Sequence, residues 1–269
     1  MRHSNTLDTA FERCLGMTNP RNVEPRIPVV CVDPSSIVGA ELFDVNSWSG
    51  QSKGVIQSCW TEYSVLYHCV GQLSSMCANS DAVCAKTVET LQEQWKLAKF
   101  NLDKVDCFGQ QPDLHIRIEA FFSGIKSLMD LIVQMLSTEQ VVAAAIDGFH
   151  RDQTGYGGRV LNALRNNGVK AHKEAAAKLD ALIAYHKKAW IDQVIKARDD
   201  LIHPTKGMHQ VMFRLELAQK NGELILVKAH PPEIDSIPID SFAQKTLAQL
   251  TVFVQEFLGT LHGKAVSNT

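Results

Sequence analysis

The stretch DLHIRIEAFFSGIKSLMDLIVQML, Asp113–Leu136, carries the strongest helical pattern in the chain. Its apolar side chains recur at steps of three and four residues, which is the spacing of one face of an α-helix. They are Ile118, Phe121, Phe122, Ile125, Leu128, Met129, Ile132 and Met135. Asp113 stands where a helix N-cap is expected. Because the stripe is broad enough to face a core, we predict that this segment is a central helix of a mainly α fold.

Helical spacing also appears on both sides of this stretch. Residues 54–77 and 81–102 precede it, and residues 175–202 and 241–261 follow it. His186 lies on the apolar stripe of 175–202, and we interpret it as a hydrogen-bonded, semi-buried histidine. The sequence GYGGRVLNALRNNG, 155–168, predicts a short helix after a glycine turn. These glycines lack the Gly-Lys-Ser/Thr ending of a phosphate-binding loop.

The period of the apolar pattern changes near Met208. Residues alternate from Val211 to Leu217, turn at Asn221-Gly222 and alternate again through Leu224 and Leu226. Asn-Gly between alternating runs is typical of a β-hairpin. We therefore predict a β-hairpin at about 209–229, inserted before the last helix. The stretches CFGQQPD (107–113) and PPEIDSIPID (231–240) indicate a break and a linker.

The beginning of the chain has a different composition. NPRNVEPRIPVVCVDPSS contains four prolines, which argue against a helix. We predict an extended N-terminal arm over residues 1–53 that lies on the main body or on a partner subunit. The helical domain is predicted over residues 54–269, with its hairpin at 209–229.

Composition narrows the class of protein. The chain has 269 residues, 45% of them hydrophobic, and a net charge of −2, which is typical of a globular protein without a chain-wide basic field. The first residues lack the apolar core of a signal peptide, and the window LMDLIVQML is short for a membrane span and contains Asp130. No zinc-type spacing is present, and we predict neither a metal nor a cofactor. Seven free thiols and a cytoplasmic location are expected, the cysteines being Cys14, Cys31, Cys59, Cys69, Cys77, Cys84 and Cys107.

The segment KARDDLIHPTKGMHQ, 196–210, carries the candidate chemistry. Pro204 should end the helix at about Ile202, which leaves His203 free to turn toward the side chain of Arg198. Arginine offers a fixed fork of donors to a phosphate, and histidine moves protons near neutral pH. The pair could cleave RNA without a metal, and Asp199 could hold either group by a hydrogen bond.

Two interpretations of this segment remain open. Arginine and histidine also favour a helix C-terminus because they complement its dipole. Between Arg165 and Lys206 there are nine Lys or Arg and five Asp or Glu residues, so the region is locally basic. This charge either binds RNA phosphates or forms a solvated helix face. The candidate RNA-binding residues are Lys187, Lys188, Lys196 and Lys206.

The sequence RDDLIH resembles the Arg-(polar)-x-x-x-His signature of HEPN domains, the higher eukaryotes and prokaryotes nucleotide-binding fold. The resemblance covers about residues 54–262, including the helix at 113–136 and the late position of the motif. It implies a helical bundle, homodimerisation and, in toxin–antitoxin or defence systems, metal-independent cleavage of RNA. It assigns catalysis to Arg198 and His203, with Asp199 at the polar position. The family often has Asn at that position and a Tyr soon after the His, whereas Pro204 and Thr205 follow here.

Two functions are therefore expected from the sequence. The first is an endoribonuclease of HEPN type, a toxin or defence protein whose partners would be RNA, a second copy of the chain and an antitoxin protein. The alternative is a non-catalytic helical module for dimerisation or for binding a nucleotide or partner, as many members of the family are.

Overall fold

The structure is a computed structural model, and it describes residues 43–48, 50–98, 104–109, 111–152, 155–166, 168–202 and 211–266. The predicted arm lies outside these ranges except for its last residues. His203 and Lys206 of the motif region also lie outside them. Within the described ranges the chain is mainly helical, with a small antiparallel sheet, as the sequence predicts.

The first helices lie on either side of one short break. α1 is Gly50–Ala78 and α2 is Ser80–Ala98. Before α1, Phe43 and Trp48 are both buried in the core. The Phe43 ring lies 5.2 Å from the ring of Tyr63, and Trp48 lies 4.1 Å from the ring of His262. The residues just before α1 therefore pack onto the helical body, and the helix begins at Gly50.

The stretch that dominates the sequence pattern forms α3, Pro112–Thr138, with α1 packed along it. Pro112 occupies the first turn, where its missing N–H costs nothing. The N-cap is Gln111, without a side-chain cap bond, so the prediction that Asp113 caps the helix was wrong. Asp113 lies instead in the first turn, where its charge suits the helix dipole. Every member of the predicted stripe is buried, as are Leu114, Gly124, Val133 and Leu136.

The later helices form the other part of the bundle. α4 is Gly158–Asn166, α5 is Lys173–His186 and α6 is Asp192–Ile202. Between α5 and α6 the chain makes a π-helical turn, Lys187–Ile191, so the single helix predicted over 175–202 has a π-bulge in it. α4 packs against α5, and α6 packs against α3.

The predicted hairpin is confirmed as β2, Phe213–Lys220, and β3, Glu223–His230, joined at Asn221-Gly222. Asn221 has φ +54° and Gly222 has φ +81°, which are the left-handed values that this turn requires. A third strand, β1, Lys104–Gly109, pairs antiparallel with β2. The prediction of a break from Cys107 onward was therefore wrong at its start. A strand of six residues is too short to show a clear alternating pattern. Its partner, β2, also lies far away in the sequence, so the sequence does not reveal the pairing.

Side chains of α2 cover the outer edge of β3. The carboxylate of Asp81 accepts a hydrogen bond from Ala229 N–H at 2.8 Å, and Ser80 donates to the Ala229 carbonyl at 3.0 Å. Gln92 accepts from the Leu224 N–H. The backbone groups that this edge would otherwise offer to another strand are thus partly occupied.

The segment predicted as a linker contains a second, smaller hairpin. β4, Glu233–Ile234, pairs with β5, Ile237–Pro238, across a turn in which Asp235 and Ser236 both have positive φ. Two-residue strands give no periodic signal, so the sequence prediction missed them. The last helix, α7, follows directly as Ile239–Val266 and packs against α1 and α5.

α3 is also the described helix that could cross a membrane by length and composition alone. However, 56% of its most apolar window is buried inside the protein. This burial agrees with its role as a core helix. Among the described residues no cysteine forms a disulfide bond, as predicted, and these cysteines are Cys59, Cys69, Cys77, Cys84 and Cys107. Cys14 and Cys31 lie outside the described residues.

Candidate functional site

The motif residues that the structure describes lie on the last turns of α6. The structure describes α6 as far as Ile202, so the prediction that Pro204 ends the helix there lies outside the described residues. Arg198 donates from Nη1 to Oδ1 of Asp199 at 3.1 Å. The Arg198 side chain is 25% exposed, so part of it reaches the surface. The structure thus brings together Arg198 and Asp199, two of the three predicted catalytic residues.

A third side chain, absent from the sequence prediction, completes this cluster. Tyr156 donates its hydroxyl hydrogen to Oδ2 of Asp199 at 2.9 Å. Because 43 positions separate the two residues, sequence spacing could not reveal the contact. The motif therefore has a tyrosine beside it in space, although none follows His203 closely in the sequence.

The loop that carries Tyr156 is fixed against α3. The Phe149 ring is fully buried, and its backbone N–H donates to Oδ1 of Asp130 at 2.7 Å. Gly157 has φ +73°, and a Cβ built there would lie 2.2 Å from the Phe149 ring. At Gly148 a Cβ would lie 2.9 Å from Asp130 Oδ1. The loop can approach α3 this closely because these two positions have no side chain.

The guanidinium of Arg198 has an N–H donor that makes no hydrogen bond among the described residues. One N–H goes to Asp199, while the Nε atom is buried and has no hydrogen-bond partner in the part of the chain that the structure describes. A buried donor without an acceptor costs free energy, about 1–3 kcal/mol for a typical group. An anion that approaches this side of Arg198 would remove that cost, which makes the guanidinium a candidate phosphate-binding group.

A second arginine lies on the Tyr156 ring. Arg151 is exposed, and its Cζ lies 5.5 Å from the ring centroid in a cation–π contact. Burial is the main cause that raises the pKa of Tyr156, and the hydrogen bond to Asp199 adds to it. The positive charges of Arg198 and Arg151 act in the opposite direction. At neutral pH the phenol therefore keeps its hydrogen and can donate it to Asp199.

Of the predicted RNA-binding lysines, the structure describes Lys187, Lys188 and Lys196, and Lys206 lies outside the described residues. Lys187 lies near the glycine loop, since a Cβ built on Gly155 would be 3.5 Å from its Nζ, but it is paired with Asp192 at 2.7 Å. Lys188 is exposed on the π-helical turn. Lys196 is two residues before Arg198, a rotation of about 200° on a helix. It lines a small cavity of about 60 Å³ with residues of β4 and the turn after it.

His186 forms a second polar cluster, which is enclosed. Only 4% of the surface of His186 is exposed. Trp190 donates its indole N–H to Nδ1 of His186 at 2.9 Å, and Nε2 of His186 contacts Oε2 of Glu256 at 2.8 Å. Since an indole can only donate, Nδ1 accepts and the ring hydrogen is on Nε2. The interpretation of His186 as a hydrogen-bonded histidine is confirmed.

Glu256 also lines a groove of about 820 Å³ between α5 and α7. The groove shares no residue with the Arg198 cluster. Small residues such as Ala175, Ala181 and Gly259 line part of it, and Tyr185 stands at its side with 68% of its surface exposed. It is therefore a feature separate from the predicted site.

Within the described ranges, no group of three or more His, Cys, Asp or Glu side chains is placed to hold a metal ion. The candidate site brings together an arginine, a tyrosine and a carboxylate, namely Arg198, Tyr156 and Asp199. Comparisons with models of protein families, with curated proteins and with solved structures found no match to this chain.

Proposed function

We propose that this protein is an endoribonuclease of HEPN type that cleaves RNA without a metal ion. The observation that carries the proposal is the state of Arg198: a guanidinium at the end of α6 with a buried Nε–H that has no partner in the described structure. The structure describes α6 as far as Ile202, and His203 is the next residue along the chain. The helical body supports the coarser part of the proposal, the fold class.

In the proposed reaction the ribose 2′-oxygen attacks the neighbouring phosphorus. His203 accepts the 2′-hydroxyl proton and then donates it to the 5′-oxygen that leaves. The new bond joins the 2′-oxygen to phosphorus, and the bond that breaks joins phosphorus to the 5′-oxygen. Arg198 stabilises the negative charge that grows on the other phosphorus oxygens. The products would be a 2′,3′-cyclic phosphate and a free 5′-hydroxyl.

One arginine and one histidine make a small site, and a second copy would enlarge it. We propose a homodimer in which the Arg198 and His203 groups of both protomers face one cleft, as the family resemblance implies. Two-fold dimers are the commonest oligomers of soluble proteins. A toxin or defence role, an antitoxin partner and a cytoplasmic location belong to the same proposal. Light scattering at micromolar concentration that finds a monomer would contradict the shared cleft.

The decisive experiment is cleavage of mixed RNA in the presence of EDTA. Wild-type protein should cleave, and Arg198→Ala and His203→Ala should each lower the rate by roughly 100-fold or more. Arg117→Ala and His115→Ala are matched controls, because each removes the same residue type from α3, outside the locally basic region. The controls should cleave at the wild-type rate. Activity that EDTA abolishes, or that survives His203→Ala, would refute the proposed mechanism.

The alternative, a non-catalytic binding module, is favoured by the pairing of cations near the motif. Asp199 accepts from Arg198, and Asp192 accepts from Lys187 at 2.7 Å, so part of the positive charge is already neutralised. A module of this kind would dimerise or bind a nucleotide or partner without cutting RNA. Wild-type protein that forms the dimer, binds RNA and leaves it intact would support this alternative.

A further inference from the structure

The hydrogen bond between Tyr156 and Asp199 has no part in the reaction proposed above. Tyr156 does not lie on α6. It belongs to the loop before α4 and reaches the motif from there. A polar contact between distant segments beside a candidate site suggests that one segment orients the other.

The loop gives Tyr156 a defined position. Next to it, Gly157 lies against the buried Phe149 ring, and Phe149 is bonded through its backbone to Asp130 of α3. On its other side, Gly155 exchanges two backbone hydrogen bonds with Asp152, both of 3.1 Å. Tyr156 therefore stands between two anchored glycines. Its hydroxyl reaches Asp199 from a support that does not depend on α6.

Both oxygens of Asp199 are engaged. Oδ2 accepts from Tyr156 at 2.9 Å, and Oδ1 accepts from Arg198 at 3.1 Å. A carboxylate on a helix surface can rotate when only one oxygen is bonded. Because the phenol holds Oδ2, the direction of Oδ1 is fixed as well. The hydrogen bond from Nη1 to Oδ1 then fixes the orientation of the Arg198 guanidinium.

We propose that Tyr156 is a positioning residue that acts through Asp199. It holds the guanidinium of Arg198 so that Nε–H and the N–H groups not bonded to Asp199 meet a phosphate of the RNA substrate. The inference rests on the proposed function, because it is the phosphate of that reaction that Arg198 would contact. Orientation of a charged donor before the substrate arrives lowers the barrier without binding the substrate more tightly.

Arg151 makes the same region suitable for a polyanion. It lies over the Tyr156 ring at 5.5 Å and is exposed. Arg198 is close to the same phenol, because both groups donate hydrogen bonds to the carboxylate of Asp199. A nucleic-acid strand bound by Arg198 therefore finds a second cation next to the same tyrosine.

The kinetic test compares Tyr156→Phe with Tyr185→Phe. The first removes one hydroxyl at the site, and the second removes one from an exposed tyrosine on α5. Tyr156→Phe should lower kcat about tenfold, the effect of one hydrogen bond on the barrier, and leave KM within about twofold. Tyr185→Phe should leave both constants unchanged. Thermal unfolding of each variant establishes that the assay temperature lies below its transition. Equal kcat values for the two variants would overturn the inference.

A second measurement does not depend on cleavage. The Nε–H signal of Arg198 in a nitrogen-15 NMR spectrum is assigned by its loss in Arg198→Lys. In wild type and Tyr185→Phe it should shift when inorganic phosphate is added. In Tyr156→Phe and in Asp199→Asn it should exchange with water at least about threefold faster and shift less, because one lost hydrogen bond frees the guanidinium.

The two measurements separate the two proposals. An Arg198 Nε–H signal that is identical in wild type and Tyr156→Phe would refute the positioning role, whether or not the protein cleaves RNA. Loss of the Arg198 restraint in Tyr156→Phe, together with wild-type protein that cuts no RNA, keeps the positioning role and refutes the ribonuclease.

Discussion

Arg198 and His186 lie on the same continuous helical stretch, and they differ in how many of their hydrogen-bonding atoms have partners. Both ring nitrogens of His186 are hydrogen-bonded, to Trp190 and to Glu256. Arg198 has one bond to Asp199 and a buried Nε–H without a partner among the described residues. A group whose donors and acceptors are all used is explained by packing alone. A charged group with an unused donor at a partly open position has capacity left for a ligand.

The two regions also differ in how they are supported. His186 is buried among the aromatic rings of α7 and the π-helical turn, with Phe253 at 5.2 Å. The Arg198 cluster depends on a loop that is anchored to α3 by Phe149 and Asp130. Interference with that loop should therefore damage the candidate site while leaving the His186 region intact.

The largest effect is expected from Gly157→Ala. Its Cβ would lie 2.2 Å from the Phe149 ring, and alanine is strained at φ +73°. Strain and overpacking together should lower the free energy of unfolding by about 3 kcal/mol. Urea unfolding followed by circular dichroism measures this loss. Gly259→Ala is the matched control, because a Cβ at Gly259 meets nothing within 4 Å and α7 favours alanine. A Gly157→Ala protein as stable as wild type would mean that the loop is not anchored on Phe149.

A smaller difference should separate His186→Leu from Arg198→Met. The first leaves the Trp190 indole N–H without its acceptor in a buried place, at a cost of about 2 kcal/mol. The second removes a charge whose Nε–H has no partner among the described residues and whose Nη1 donates to the adjacent Asp199, so stability should fall by no more than about 0.5 kcal/mol. The same urea experiment measures both. If Arg198→Met were the more destabilising variant, the idea that Arg198 is kept for a ligand would lose its basis.

The smallest effect concerns alkaline pH. Because the pKa of Tyr156 is raised in the folded protein, the folded state retains a proton that the unfolded state releases above about pH 10. Stability should therefore fall as pH rises through that range, and fall less steeply in Asp199→Asn, which lacks the negative charge. Burial raises the pKa of Cys59 and Cys77 to about 12 and of Cys84 to about 11, and this adds the same decline to both proteins. Unfolding in urea at several pH values compares the slopes. Parallel curves would mean that Asp199 does not perturb Tyr156.

The sequence predicted the elements whose pattern is local and long. The stripe of α3 and the Asn221-Gly222 hairpin each follow from residues within one segment. β1 and the β4–β5 hairpin were missed because strands of six and two residues show no clear period by themselves.

The candidate site was predictable only in part. Arg198 and Asp199 are adjacent, so their contact could be anticipated from the sequence. Tyr156 reaches them through tertiary structure, and its loop was interpreted only as a glycine turn. A tyrosine between glycines is a weak signal, and no spacing rule connects it to a motif 43 residues away. Such residues become visible only when the packing of α3 against α6 is known.

The order of the strands in the chain has a consequence for synthesis. β1 ends at Gly109, and β2, the strand with which it pairs, begins at Phe213. At roughly 5–20 residues per second, the intervening chain takes about 5–20 seconds to leave the ribosome. α1 and α2 are made before that interval and α3 to α6 during it, while the backbone of β1 still lacks β2. The sheet is therefore a late event in biogenesis, and the nascent chain is most exposed to chaperones and to misassembly before β2 emerges.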